Sequence, residues 1–470
     1  MIWDLAKFSL NTALIDENST ILTYAQLASA ASEIAQAAGG RCLVFVLCKN
    51  TIGSVVGYVA FLNAGIVPVL LNAHLEKELL QNLLVTYQPA FIWLPKELTA
   101  EYTAMETVYS IFDYYLLATH YEQEVSLYSE LGLLMTTSGS TGSPKLVRQS
   151  YPNILANAQQ IVQYLKLTAD ERPITTLPMN YTYGLSIINS HLLVGATLLV
   201  TDKGLMQKEF WQFFKAHGAT SFGGVPYTYE MLDRLRFHRM QLPTLRTLTQ
   251  AGGKLTPELH KKFAEYAFTC GKNFVVMYGQ CEATARMGYL PPSKAVEKCG
   301  SIGIAIPGGT FRLVDSDGQI ISRPHITGEL VYTGPNVTLG YAEDRSDLSK
   351  GDELHGVLET GDMAQFDEDG YYYIVGRKKR FLKIYGNRIN LDEIDRMIKV
   401  HFKNPDIASA GIDDHLVLFV TNVALADSIK VFVAAKTGLN PVALRTVVLD
   451  TIPMNEAGKT LYTELEHYYR

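Results

Sequence analysis

Short apolar runs alternate with amphipathic stretches through the N-terminal part of the chain, and that alternation narrows the fold more than any other feature. CLVFVL, from Cys42 to Leu47, reads as a buried strand, Thr51 to Leu62 as a helix, VPVLL as a strand, Leu75 to Thr86 as a helix and FIWL as a strand. This is the signature of parallel βαβ units. The pattern resumes at LGLLMTT. It returns through TLLVT, a helix around Phe210 to His217, LRTLTQ, a helix opened by Thr256-Pro257-Glu258, and NFVVMY. From about Cys299 to Val375, short alternating segments punctuated by Asp317-Gly318 and Asp369-Gly370 predict hairpins and a β-rich subdomain. Beyond Arg380, an amphipathic helix over Leu391 to His401 and strands such as LVLFV predict a small α+β domain.

Composition sets outer bounds. The 470 residues suit two to four domains, and 47% hydrophobic against 19% charged residues suits a large core rather than disorder. A net charge of -6 gives no electrostatic case for nucleic acid or an anionic membrane surface. The most apolar stretch, Val55 to Leu71, is broken by Gly57, Asn63, Gly65 and Pro68, so it reads as α/β core and not as a membrane span. The N-terminus lacks a basic start followed by an apolar run, so no secretory signal is expected. Cys42, Cys48, Cys270, Cys281 and Cys299 are odd in number and form no C-x-x-C pair. Neither a disulfide framework nor a zinc site is indicated, and a reducing cytoplasm is expected.

The strongest local chemistry lies in MTTSGSTGSPK, Met135 to Lys145. A strand enters a loop in which Gly139 and Gly142 permit positive φ, so backbone N–H groups can cradle anionic oxygens. Thr137, Ser138, Ser140 and Thr141 add hydroxyls, and Lys145 adds a point charge. The P-loop spacing G-x-x-x-x-G-K-[ST] does not fit, because Pro144 precedes Lys145; in PMNEAGKT, Pro453 stands where the first glycine is required.

That loop resembles the phosphate-binding motif of the adenylate-forming superfamily, which holds acyl-CoA synthetases, peptide-synthetase adenylation domains and luciferases. ILTYAQL, LNAGIVPVLLN, LPMNYTYG, QAGGKL, MYGQCEA, GELVYTG with a following GY, ETGD, GRKKRFLKIYG and NEAGK resemble the family's other motifs, in its order, over nearly the whole chain. The resemblance implies an α/β fold: a large N-terminal domain, 1–379, of layered α/β subdomains plus the β-rich subdomain, and a small mobile C-terminal α+β domain, 380–470. Arg380 falls at the position of the family's hinge, where an arginine would keep a swivelling backbone solvated.

The implied reaction joins a small-molecule carboxylic acid to ATP, releases pyrophosphate and passes the acyl group to a thiol. The acceptor is coenzyme A or the phosphopantetheine of an acyl carrier protein. Glu282 would hold Mg²⁺, a metal that prefers hard oxygen ligands shared with phosphate, and Tyr278 with Gly279 would lie beside adenine. Gly252 and Gly253 would let adenine approach the backbone; a helix-leading turn is the plainer role. Asp362 would accept from the ribose hydroxyls, and Arg377 would contact ribose or phosphate. Lys459 resembles the catalytic lysine, whose ammonium offsets the repulsion between carboxylate and α-phosphate. Gly386 would line the thiol channel, and Tyr181 occupies the place of the aromatic gate near the carboxylate.

Two departures stand out. Cys281 replaces the usual threonine before the motif glutamate, and a thiol is a weak donor, so one α-phosphate contact should weaken. With no histidine adjacent in sequence it is not read as a nucleophile. Counting back from Gly195, the acidic residue that holds an amino acid's ammonium in some relatives is Thr182, which disfavours an α-amino acid. Tyr183, Gly223, Val225, Met277 and Met287 are candidates for the acyl pocket, with plain core packing as the alternative; the set suggests an aliphatic or aromatic acid. A member that binds acyl-AMP or nucleotide without turnover is the remaining class, and Cys281 alone favours it.

Overall fold

The strand Leu43–Cys48 is buried at every position and lies within an eight-stranded sheet. Its order is Gly340–Ala342, Leu146–Ser150, Leu131–Thr136, Val67–Asn72, Leu43–Cys48, Phe91–Pro95, Tyr114–Ala118, Glu106–Ile111. The computed structural model describes residues 2–121, 126–136, 145–384, 387–412, 414–454 and 460–469. The predicted helices appear as Ile52–Asn63 and Lys77–Tyr87, and the central strands are parallel. Both edges differ from the all-parallel expectation. Leu146–Ser150 returns antiparallel on Leu131–Thr136, and Tyr114–Ala118 pairs antiparallel with both Phe91–Pro95 and Glu106–Ile111. Parallel neighbours need a crossover of about a dozen residues or more; the two residues between Glu106–Ile111 and Tyr114–Ala118 and the nine between Leu131–Thr136 and Leu146–Ser150 are too few for one.

Two compact units divide the chain: the described residues up to 311 together with 332–358, and 312–331 together with the described residues from 359 onward. A second sheet in the first unit sets Ser221–Gly224, Thr247–Gln250 and Asn273–Tyr278 parallel, then adds Gly288–Tyr289 and Ile304–Ala305 antiparallel. Thr256 caps the helix Pro257–Thr269 by accepting from the Leu259 N–H at 3.3 Å, as its Thr-Pro-Glu start predicts. A third, small sheet joins Thr12–Asp16 to Leu198–Val200 and Ile21–Thr23.

In the second unit, both Asp-Gly pairs turn hairpins. The Gly318 and Gly370 N–H groups donate to Asp315 and Asp367 carbonyls at 3.2 and 3.0 Å. The helix Leu391–His401 matches the predicted span, and its buried Leu391, Ile394 and Ile398 join Leu416, Leu418 and Val420 in one apolar cluster. The expected boundary at 380 lies inside this unit. Arg380 is also not solvated. Asp392 and Asp395 present carboxylates to it at 2.9 and 2.7 Å, the Tyr462 ring lies 4.0 Å away, and the Ser409 carbonyl accepts as well. The helix spacing that puts two aspartates on one face explains the burial of the cation. Among the described residues no helix is long and apolar enough to cross a membrane.

The helix Thr182–Leu193 is buried from its first residue to Leu192. His191 lies inside it with its Nδ1 2.8 Å from the Ile187 carbonyl and no partner at Nε2. Burial pushes its imidazole down to about 4. The unfolded chain takes that proton below about pH 6.5, so between the two values it binds more protons than the folded chain, and stability falls as pH drops. The loss is on the order of 3 kcal/mol across the window. Melting temperatures at pH 7 and pH 5 should therefore differ more in the wild type than in His191→Gln; an equal drop in both would contradict the assignment.

Candidate active site

Glu282 sits just past the C-terminal end of the parallel strand Asn273–Tyr278, where open α/β sheets place ligands. Its Oε1 accepts from the Tyr341 hydroxyl at 2.8 Å, while Oε2 has no partner among the described residues. Burial, reinforced by the nearby carboxylate, pushes the Tyr341 phenol up, so it stays a donor. The Lys145 ammonium lies 3.6 Å over the Tyr341 ring and 3.6 Å from Glu343, an exposed pair of little strength. One tyrosine thus holds the glutamate at its tip and the lysine on its face. Its strand is fixed from beneath by Arg148, which is fully buried. Arg148 donates to the carbonyls of Tyr341 at 2.9 Å, Leu339 at 3.0 Å, Lys350 at 2.5 Å and Gly351 at 3.2 Å, and pairs with Glu353.

The segment that carries Glu282 is pinned through its own carbonyls. Asn336 donates to Ala283 and Arg286 at 2.9 and 3.0 Å, and Thr338 donates through both N–H and hydroxyl to Glu282 at 3.0 Å. Thr284 is a β-branched residue at φ 64, ψ -57, and the Ala285 N–H donates to the Ala283 carbonyl at 2.7 Å across it. This is a γ-turn of the strained hand, costing about 1–3 kcal/mol. Gly279 is required by the same packing, since a Cβ there would stand 1.7 Å from the Ala285 carbonyl oxygen. The Tyr278 ring meets Phe311 edge-on at 6.2 Å, and its hydroxyl accepts from Gln280 at 3.3 Å.

Cys281 lies with its Sγ 3.5 Å from the Thr182 hydroxyl and 3.9 Å from the Thr136 carbonyl. Thr136 ends the strand that leads into the glycine-serine segment and Lys145 follows that segment, so both of its flanks stand by the Cys281–Glu282 turn. Tyr183, Val225 and Met277 share one apolar cluster with Leu177, Ile187, Ala251 and Val275, and Tyr181 packs against it. The Tyr183 hydroxyl donates to Thr249 at 2.7 Å, and a Cβ on Gly223 would meet that hydroxyl at 2.8 Å. Met287 is fully buried outside this cluster. Burial, with Cys281 nearby, pushes the Tyr181 phenol up to about 12. Gly252 has φ +82, and a Cβ there would stand 2.4 Å from the Tyr181 hydroxyl; Gly253 faces Pro226. The bareness of Gly252 therefore accommodates Tyr181.

In the second unit, Asp362 and Arg377 are cross-strand partners in the hairpin of Val357–Phe366 and Tyr372–Arg377. Asp362 is buried and Arg377 reaches it at 2.7 Å. Thr137, Ser138, Gly139, Ser140, Thr141, Gly142, Gly386 and Lys459 lie outside the described residues. Sequence reasoning did not single out Tyr341, Asn336, Thr338, Arg148 or Arg286. Tyr341 stands in the GY pair after GELVYTG; the others are polar residues within apolar stretches, a weak signal without coordinates.

Among the described residues, no group of three or more His, Cys, Asp or Glu side chains could hold a metal ion. A cation at Glu282 would need further oxygens from a ligand. Mg²⁺ with a nucleotide's phosphates suits one carboxylate oriented by a donor and open at its other oxygen.

The model of the AMP-binding enzyme family matches residues 3–342. Oxalate–CoA ligase of Arabidopsis thaliana is 29% identical over 344 residues, which cover 70% of this chain and 65% of that protein. 2-Succinylbenzoate–CoA ligase of Bacillus subtilis is 24% identical over 475 residues, covering 97% of this chain and 94% of the relative. The solved structure of O-succinylbenzoate coenzyme A synthetase from Bacillus subtilis in complex with AMP has the same fold. Its TM-score is 0.78 at 22% identity, over 98% of this chain and 97% of that one.

Because Gly252 combines positive φ with contact to Tyr181, Gly252→Ala should cost about 1–3 kcal/mol. The check is a lowered melting temperature; an unchanged one would show that neither the backbone nor Tyr181 is constrained there.

Proposed function

Since this chain belongs to the AMP-binding enzyme family, we propose that it is an AMP-forming acid–thiol ligase. It condenses a small-molecule carboxylic acid with Mg²⁺-ATP to an acyl-adenylate and pyrophosphate, then transfers the acyl group to coenzyme A. The observation that supports this best is Tyr341, whose hydroxyl orients Glu282 and whose ring carries Lys145. A magnesium carboxylate and a phosphate cation are then neighbours at the end of a parallel strand, as metal-assisted attack on a phosphate requires.

In this reading Glu282 Oε2 takes the Mg²⁺, Lys145 and the loop from Thr137 to Gly142 take phosphate oxygens, and Tyr278 with Gly279, Gly252 and Gly253 flanks adenine. Asp362 accepts from the ribose, with Arg377 beside it; its burial favours a role in recognition over a surface turn. Lys459 supplies the ammonium that lets two anions meet. Tyr181 stands at the acid's carboxylate, and Tyr183, Gly223, Val225, Met277 and Met287 enclose the acyl part. The Cys281 thiol, held by the Thr182 hydroxyl, is a weak substitute for a hydroxyl donor at the α-phosphate.

The chain turns near Arg380 between half-reactions, with the guanidinium clamped to Asp392 and Asp395 so that its side chain travels with the small domain, 380–470, against 1–379. Gly386 then lines the thiol channel. Free thiols at all five cysteines suit a reducing, cytoplasmic setting. Coenzyme A is favoured as acceptor because the relatives above are named as CoA ligases; an acyl carrier protein is the other acceptor to test.

Pyrophosphate release should be measured over a panel of carboxylic acids with Mg²⁺-ATP, first alone, then with coenzyme A and with purified carrier proteins. Release should depend on acid, and Glu282→Gln should lower it by about 10²-fold or more. Cys281→Thr should leave the rate intact or raise it. Acid-independent behaviour, or full activity in Glu282→Gln, would sink the ligase reading, and a large loss in Cys281→Thr would overturn the role given to the thiol.

A further inference from the structure

Arg286 follows Glu282 by one turn of chain and is 2% exposed. Its Nε donates to the Ser186 hydroxyl at 3.0 Å, and its Nη1 donates to the Tyr164 hydroxyl at 2.9 Å and the Met277 sulfur at 3.2 Å. The guanidinium lies 5.3 Å from the Tyr183 ring. Every one of these partners is neutral. Among the described residues no carboxylate lies within ion-pair reach of Arg286, and its Nη2 donates to nothing. The contrast within the same molecule is direct, because buried Arg148 pairs with Glu353 and half-buried Arg380 with Asp392 and Asp395.

No group nearby supplies the missing charge. Burial pushes the Tyr164 and Tyr183 phenols up, so neither is an anion. His191 could add only positive charge. Glu282 is engaged by the Tyr341 hydroxyl. A cavity of about 10 Å³ against Ser186, Asn157 and Gln149 holds at most about one water, which can satisfy the unpartnered Gln149 Oε1 but cannot neutralise a cation. A guanidinium left only 2% exposed and without an anion is a costly arrangement unless an anion arrives with a ligand. Its neighbours Tyr183 and Met277 belong to the apolar cluster proposed to enclose the acyl part, so a ligand there reaches the cation through an apolar stem.

We propose that Arg286 receives a second anionic group on the acid, so that the enzyme activates one carboxylate of a dicarboxylic acid and anchors the other. This rests on the ligase reading above. It makes Arg286 a specificity residue: the guanidinium offers Nη2 to the distal carboxylate, which supplies the absent counter-charge, while Ser186, Tyr164 and Met277 hold the fork in place.

The test compares pyrophosphate release for dicarboxylic acids of graded length with that for their half-amides, which match in shape but lack the second charge. The expected result is a preference for the diacid of about 10²-fold in kcat/KM at the best length. Arg286→Gln should bring diacid turnover down to the half-amide level, and Arg286→Lys should retain part of the preference. If Arg286→Gln does not fold, the wild-type pairs alone decide. Equal or better turnover of half-amides and simple monoacids by the wild type would overturn this inference while leaving the ligase reading intact. Turnover of no acid at all would overturn both.

Discussion

The strained turn at Thr284 is the constraint on which the site depends. A β-branched residue at positive φ does not hold that conformation by itself, and here it persists because the flanking carbonyls are taken by buried side chains. Asn336 and Thr338 hold Ala283, Glu282 and Arg286 from one side, and Asn157 and Gln149 donate to Arg286 and Thr284 from the other. The result is a short segment that presents two opposite charges to two different surroundings. Glu282 meets a tyrosine hydroxyl beside a lysine, and Arg286 enters an apolar cluster walled by Tyr164, Tyr183 and Met277.

Under the proposed function, fixing both groups on one turn would couple chemistry to recognition. A carboxylate that must share a metal with phosphates needs an orientation that does not relax when the ligand arrives, and preorganised charge is the larger part of such catalysis. Arg148 extends the rigidity outward, because its contacts to the Tyr341 and Leu339 carbonyls set the strand that carries the orienting hydroxyl. The hinge proposal follows the same logic in the second unit. Arg380 is bound to Asp392 and Asp395 of one helix, which would tie the start of the proposed small domain to its own core.

Much of the fold was legible because buried parallel strands announce themselves. Leu43–Cys48 and Val67–Asn72 are apolar throughout, and Leu391–His401 has a one-sided apolar stripe. Leu146–Ser150 was not legible as a core strand, since Arg148 and Gln149 read as surface residues; the carbonyls and the Glu353 carboxylate brought to Arg148 from a distant segment make its burial tolerable. The edges of the main sheet were missed for a related reason, as antiparallel return depends on connection length rather than on apolar pattern. Glu282, Lys145 and Asp362 were singled out by their motifs; the structure sets the first two on either side of Tyr341 and buries Asp362 in its hairpin. Tyr341 and Arg286 were not singled out, because what distinguishes them is the identity of neighbours far along the chain. The solvated role expected of Arg380 failed because two acidic residues one helical turn apart capture it.

A crystal structure grown with Mg²⁺ and a stable mimic of a dicarboxylic acyl-adenylate tests the account most directly. The account predicts the metal within about 2.1 Å of a Glu282 oxygen, phosphate beside Lys145, and the distal carboxylate on Arg286 across the apolar cluster. A mimic bound with its phosphate away from Glu282, or with its acyl chain outside the cluster of Tyr183, Val225 and Met277, would contradict it.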